Sequence, residues 1–447
     1  MKRKVLFRMA LVALLAFCMI AQAVAGGGGQ AAPQAGGAAA AAPKPVTLTF
    51  VNWGSVEEAT QADILGVISA FQAANPNITI KNQGIAVSDI VKELTIMCAA
   101  NNSPDVSQLL SDNVVQLQSA GFLAAVDGIL SSSFTSDLYS EVFNAVGLIG
   151  GKHYAVPWAN STHGLFYNRK LMAQAGLDPN KPPKTIDEMT QMMRTAKKNL
   201  PDDVIMLQLD GAVRTLGLLH NWPFMLAFNE GVAPYTLDGK VNFNTPGMKA
   251  YMEWVRMLVN EKMTLPGTRY GLFRPYAAKD KLLFGNDWTT FDGIVRSLDE
   301  TKALTPEVMY QTWGATALPA GKDGKFRVPV QAHSLVVFDK SGNKDAAGKF
   351  VEFLVGSQAA LDGYIGKNGF TPVTKSAISR TPALQKSAFI DSFVKDVVPA
   401  SVTMPTGADY GLYAEIIMTG VQEVITTNRS IDAINADIQK KMEDLFK

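Results

Sequence analysis

From residue 46 to residue 121, short apolar β-branched runs alternate with helical stretches, and this alternation limits the fold more than any other feature. VTLTFVNW (46–53) interleaves β-branched and aromatic residues and stops at Gly54-Ser55, as a strand does. Residues 57–74 read as an amphipathic helix ended by Asn75-Pro76-Asn77, and ITIKNQG as the second strand. Residues 88–100 read as a second helix, 105–110 as a short buried strand, and 112–120 as a third helix ending at Gly121. Strands separated by helices at this spacing form βαβ units and a parallel sheet. A chain of 447 residues has room for two or three such domains.

The first 45 residues obey different rules. MKRKVLFR is a basic stretch, MALVALLAFCMI an apolar one, and Ala23-Val24-Ala25 a small-residue cleavage site, which together predict a signal peptide over 1–25. The apolar part is short for a membrane span. Residues 26–45, rich in Gly, Ala and Pro, predict a disordered linker. Export to the periplasm is the expectation. The alternative is a lipid anchor on Cys18, since Leu15-Ala16-Phe17-Cys18 loosely resembles a lipobox, although Phe17 stands where a small residue is needed. Once the signal peptide is removed Cys98 has no partner for a disulfide, and its place in a helix predicts a buried structural thiol.

Charge excludes one class of partner. The net charge is +1, and without Lys2, Arg3, Lys4 and Arg8 the rest carries about −3. No basic footprint for nucleic acid remains.

Residues 150–188 join the N-terminal α/β region to the remainder of the chain. Gly150-Gly151 predicts a tight turn, HYAVPW a strand that its proline confines to an edge or a crossing, and GLFYN a second apolar run. RKLMAQAG reads as a short helix closed by Gly176, and DPNKPPKT as a rigid turn. Thr185 and Glu188 form a capping box that opens the next helix.

On these residues the chain resembles the bacterial extracellular solute-binding proteins of the maltose-binding type, which serve ABC importers. The shared pattern is Gly151, Lys152, Tyr154 and Pro157, then Leu165, Tyr167, Asn168 and Leu171, then Gly176, Leu177, Pro179, Pro182, Thr185 and Glu188. SPDVSQLLSDNVVQLQSAGFLAAVDGIL, KLLFGNDWTTFDGI, WGATALPAGKDGK and FDKSGNKDAAGKFVEFLVGSQAA resemble further segments, so the resemblance runs over about 46–447. It implies an α/β, two-lobed periplasmic binding protein fold of type II. Each lobe would be a mostly parallel sheet flanked by helices, with three hinge crossings near 160–163, 317 and 365. Lobe 1 is then 46–162 with 318–364, and lobe 2 is 163–317 with 365–447. The same resemblance implies a monomer that delivers its ligand to the permease subunits of an ABC transporter.

Catalytic motifs are scarce. G-x-S-x-G, H-E-x-x-H, C-x-x-C and G-x-G-x-x-G are all missing from the sequence. GNKDAAGK (342–349) has one residue too many for a P-loop and Phe350 where Ser or Thr must hold magnesium, so it reads as a turn and a helix start. His153, His163, His220 and His333 are far apart in sequence and give a metal site no local spacing. Glu57-Glu58 and Asp202-Asp203 read as solvated surface. No cofactor is expected.

Aromatic residues beside small polar ones stand out instead, at expected strand ends and turns: Asn52-Trp53-Gly54-Ser55, Pro157-Trp158-Ala159-Asn160-Ser161, His220-Asn221-Trp222-Pro223 and Asn286-Asp287-Trp288-Thr289-Thr290. A sugar needs this chemistry, because its C–H faces pack on rings while its hydroxyls need fixed donors and acceptors. Ligands of α/β sheets bind at the carboxyl ends of strands, where Trp53 and Asp112 are expected. By the resemblance, Trp288 would stack on the ligand, Asp112 would accept its hydroxyls, and Tyr410 would lie on a late cleft loop. The candidate ligand-binding set is Trp53, Ser55, Asp112, Trp158, Asn160, Ser161, Trp222, Asp287, Trp288 and Tyr410. Core packing competes for the tryptophans, turn duty for Asn160 and Ser161, and a helix cap for Asp112. Tyr154, Phe166 and Tyr167 read as core.

A solute-binding protein for a carbohydrate is the leading reading. A binder of another solute, such as a glycerophosphodiester, polyamine or peptide, is the alternative, and a phosphate would require Arg or helix N-termini in the cleft. A secreted glycosidase, the remote third, needs two carboxylates roughly 5–10 Å apart, and only Asp112 with Asp287 could be nominated.

Overall fold

The structure, a computed structural model, describes residues 44–447 apart from 59, 161, 162 and 408, and the side chains of 160 and 383. The expected signal peptide, most of the expected linker, and Ser161 therefore lie outside the described residues.

Nine strands make two sheets. They are β1 (Val46–Asn52), β2 (Ile78–Gly84), β3 (Val106–Leu110), β4 (Val156–Asn160), β5 (Gly164–Asn168), β6 (Ile205–Leu207), β7 (Leu282–Asp287), β8 (Trp313–Thr316) and β9 (Ala332–Val337). The first sheet runs β2-β1-β3-β9-β4 and the second β8-β5-β7-β6. In the first, β1 pairs parallel with β2 and β3, while β9 is antiparallel to both its neighbours. In the second, β6 and β7 are parallel and β5 is antiparallel to both its neighbours. Each sheet thus points one way except for one strand, and that strand is the one by which the chain enters from the other sheet.

Helices cover these sheets through apolar residues at helical spacing. Gln61–Ala74 buries Ile64, Val67, Ile68 and Phe71. It starts later than expected, because Thr60 Oγ1 donates to the Gly54 carbonyl and the backbone N–H groups of Val56 and Glu57 to that of Trp53, folding 53–60 into turns. Ile186–Asn199 buries Ile186, Met189 and Met193 and begins at Thr185, whose hydroxyl accepts from Glu188 N–H at 3.1 Å. Glu188 closes the box on the N–H of Lys184, not that of Thr185. Gly176, at φ +77°, ends the short helix Arg169–Gln174. Residues 342–349 are the turn and first part of the helix Lys344–Gly356.

Two separate cores result. One gathers Leu48 to Ala159, Val330 to Val355 and Ala360 to Ala377, with Val398. The other gathers Leu165 to Leu318 with Val328 and then Phe389 to Met442. The first core keeps Val373 and Ala377 beyond the expected crossing at 365, because Tyr139 N–H donates to the Val373 carbonyl and Leu138 bridges Thr374. Phe166, Tyr167 and Cys98 are buried, whereas Tyr154 is half-buried.

Candidate functional site

Two openings draw their walls from both cores. One, with room of about 20 Å³, lies between Ser111, Asp112 and Gln331 on one side and Leu219, Thr406 and Tyr410 on the other. The second, of about 600 Å³, lies between Glu57 and Gly366–Phe370 on one side and Thr289–Arg296 on the other. Small-molecule sites usually hold roughly 300–1,000 Å³, a range the second reaches and the first does not. Other grooves, such as the one along Lys170, Asp280 and Thr301, lie on the second core's side.

Between the openings, the first lobe presents a connected polar and aromatic strip. Gln108, on β3, accepts from the N–H of Trp53 at 3.2 Å and of Gly54 at 3.3 Å through Oε1. That fixes the amide, so its Nε2 donates to His333 Nδ1 at 3.4 Å and the His333 proton lies on Nε2. Trp53 meets the His333 ring edge-on at 5.2 Å, and Phe370 meets it from the other side. Burial pushes the His333 pKa down to about 4. Ser55 N–H donates to Asn52 Oδ1, and Ser55 Oγ has no partner among the described residues.

On the second lobe, Trp288 comes directly after the end of β7 and is 9% exposed. His163 at 4.7 Å, Tyr270 at 4.9 Å and His220 at 5.0 Å surround its ring. Asp287 is fully buried and its oxygens are taken: Arg274 grips it twice, at 2.7 and 2.9 Å, and Trp288 N–H and Gln208 Nε2 occupy its oxygens further. It orients Trp288 and Arg274. Arg214 is similarly closed by Asp210 at 2.6 Å, and both arginines lie over the Tyr270 ring. The charges of this half-site therefore pair off.

Asp112 and Tyr410 come from different lobes and line the same opening. The Asp112 pKa is raised by burial, and the Gln331 side chain draws it partly back. Asp112 Oδ1 has no partner among the described residues, and the Tyr410 hydroxyl donates to the Thr215 carbonyl at 3.1 Å. Asp112 sits in the turn Ser111–Asn113 and makes no side-chain cap.

Three sequence expectations land elsewhere. Trp158 is 1% exposed, donates its indole N–H to the Leu354 carbonyl at 2.8 Å and stacks on Tyr364, so it belongs to the first core. Trp222 packs edge-on against Tyr235 in the second core. His220-Asn221-Trp222-Pro223 is not a turn but the middle of the helix Thr215–Phe228, with Pro223 inside it. Asn160 ends β4, at the passage to the second sheet. Phe370 lines the second opening, and His163, His220, Tyr270 and His333 surround the candidate tryptophans; sequence reasoning misses all five. The wide spacing of the histidines along the chain argues against a shared site, yet His163 and His220 stand 4.1 Å apart. Among the described residues no group of three or more His, Cys, Asp or Glu could hold a metal ion.

The profile of the family described as bacterial extracellular solute-binding protein matches residues 53–361. The chain belongs to this family. Among curated proteins, this solute-binding protein is 22% identical to the maltotriose-binding protein of Pyrococcus abyssi, over 80% of this chain and 74% of that one. Its fold matches the cyclic alpha-maltosyl-1,6-maltose binding protein of Arthrobacter globiformis with a TM-score of 0.73 at 19% identity, over 90% and 99% of the two chains. It also matches UgpB of Mycobacterium tuberculosis, solved with glycerophosphocholine, with a TM-score of 0.71 at 20% identity over 90% and 98%. These relatives share the two-lobed fold and are binding proteins.

Proposed function

We propose that this solute-binding protein captures a sugar or oligosaccharide between its two lobes, is exported to do so, and hands the closed form to the permease of an ABC importer. Of the expected bounds, 46–162 with 318–364 for lobe 1, the two cores favour moving 318–328 to lobe 2 and adding 365–377 to lobe 1. The observation that carries this reading is the seam itself: Asp112 on one lobe opposes Tyr410 on the other, and Glu57 opposes Thr289, the chain neighbour of Trp288, with the nearby arginines neutralised by Asp210 and Asp287. Rings and neutral polar groups suit a polyol, whose C–H faces stack while its hydroxyls exchange hydrogen bonds. A ligand that touches both lobes only when they approach shifts the open–closed balance by its differential affinity.

A second reading, a glycerophosphodiester, draws on Arg214 and Arg274 beside Tyr270 and on the fold shared with UgpB. It requires those arginines to leave their carboxylates, which the bidentate Arg274–Asp287 pair opposes. Tryptophan fluorescence and thermal shift against mono- and oligosaccharides, glycerophosphates, polyamines and peptides test both. A saturable response to a sugar that Trp288→Ala abolishes is the expected result. A response confined to phosphates or amines overturns the sugar, and release of new reducing ends overturns binding without chemistry.

A further inference from the structure

Four buried polar atoms in the second lobe's side of the seam have no hydrogen-bond partner among the described residues: both ring nitrogens of His163, Nε2 of His220 and Nε1 of Trp288. They belong to a single ring cluster. His163 lies 4.1 Å from His220 and 4.7 Å from Trp288, and His220 stacks on Tyr270 at 4.3 Å. Their chain neighbours Leu219 and Thr289 line the two openings. Native structures seldom leave buried polar atoms unpaired, and four in one cluster mark a place where something else must pair them.

The surroundings set what each atom can do. His220 Nδ1 is 2.9 Å from the Leu216 carbonyl oxygen. A carbonyl only accepts, so Nδ1 carries the proton, and in the neutral ring Nε2 is a bare lone pair. Trp288 Nε1 only donates, and a neutral His163 offers one donor and one acceptor. Burial lowers the pKa of both imidazoles; His220 and Arg274 lower His163 further, and Arg214 lowers His220 while Asp210 and Asp287 raise it. Tyr270, stacked on His220 and itself near both arginines and both carboxylates, completes the charged and titratable surroundings.

We propose that His220 and His163 select the ligand by its hydroxyl donors: one ligand hydroxyl donates to His220 Nε2 while neighbouring oxygens accept from Trp288 Nε1 and the His163 N–H. This rests on the seam being the ligand site. Ligands without O–H or N–H groups cannot give Nε2 the donor it needs, and a purely anionic group would have to recruit a protonated His220. The pH dependence therefore has a sign. Hydroxyl binding weakens as pH falls below the ordinary histidine range, because imidazolium no longer accepts; recognition through imidazolium would strengthen.

The test is calorimetry of the purified protein with mono- and oligosaccharides, short peptides, polyamines and dicarboxylates, at about pH 7.5 and about pH 5. Nitrogen-15 spectra of the labelled histidines accompany it. A sugar is expected to bind, to lose affinity at the lower pH, to lose about tenfold or more in His220→Phe, and to recover part of that in His220→Gln, whose amide oxygen stands near Nε2. His220 Nε2 is expected to be unprotonated in the free protein and to shift when the sugar binds. If His220→Phe binds the sugar as wild type does while Trp288→Ala does not, the inference falls and the seam reading stands. If Trp288→Ala also binds normally, both fall. Binding only of compounds without hydroxyls, no binding of any sugar, or affinity that rises on acidification overturns the inference. So does a neutral His220 protonated at Nε2, a readout that holds even where His220→Phe fails to fold.

Discussion

At the scale of single residues, the second lobe's half of the seam depends on two fully buried carboxylates paired with partly buried arginines. Asp287 accepts from Arg274 at two positions, from Gln208 and from the backbone of Trp288. Asp287→Asn removes the charge and leaves the partly buried Arg274 guanidinium uncompensated, a loss of about 3 kcal/mol, the low end for buried pairs because the guanidinium keeps some solvent. Urea unfolding should show that loss, and a change below about 1 kcal/mol would mean that Arg274 finds another partner. The buried histidines add a pH effect. His333 has its pKa pushed down to about 4, and those of His163 and His220 are lowered as well, mainly by burial. In the unfolded chain these rings take up protons near pH 6.5, while in the folded protein they resist until well below it. Their contribution is thus intact above about pH 6.5 and is lost as pH falls toward about 4. Urea midpoints at about pH 7 and about pH 4.5 should differ with the more acidic one lower, and His333→Phe should flatten part of that slope.

At the scale of elements, one tight junction is the start of β5. A Cβ on Gly164 would come within 2.5 Å of the Phe393 ring, and Gly164 is in register with Asp287 on β7. Gly164→Ala should therefore cost about 1–3 kcal/mol through overpacking, and adding Phe393→Leu should return part of that in a double-mutant cycle. Unchanged stability of Gly164→Ala would show that the ring simply moves aside. The same region separates what is legible in a sequence from what is not. GLFYN, the Gly176 stop and the Thr185 cap are legible because each arises from local chemistry: apolar runs, φ > 0 and a hydroxyl within reach of a free N–H. His220-Asn221-Trp222-Pro223 is misread as a turn because proline is a helix breaker in isolation. In the fold, Asn286 Nδ2 donates to the His220 carbonyl at 2.9 Å and Asn221 donates to Asp210 and Gly217, so tertiary contacts carry the helix across Pro223. Trp53, Asp112, Trp288 and Tyr410 are visible through composition and resemblance, whereas the His163–His220 contact joins residues remote in sequence, which no periodicity can display.

At the scale of the whole molecule, the two odd strands explain how the chain can hinge. β4 and β5 are separated only by 161–163, and β9 returns from β8 through 317–331, so the antiparallel strand of each sheet is also its tether to the other. Each lobe therefore keeps its own core while its connections lie side by side, and relative motion leaves both cores packed. The C-terminal helices Tyr410–Thr426 and Ile431–Leu445 complete the second core, so a lobe cut out as one continuous segment would leave Ile417, Val421 and Ile438 without their neighbours. A ligand held between such lobes must alter shape and stability together. Small-angle scattering should show a smaller radius of gyration with a bound sugar than without it. At about a hundred times Kd the folded state should gain about 2.7 kcal/mol by mass action. Trp288→Ala should abolish both responses, because the ring that faces the seam is then missing from the closed form. Stabilisation without contraction would mean that the ligand binds one lobe alone, and the two-lobed closure would have to be given up even though binding remained.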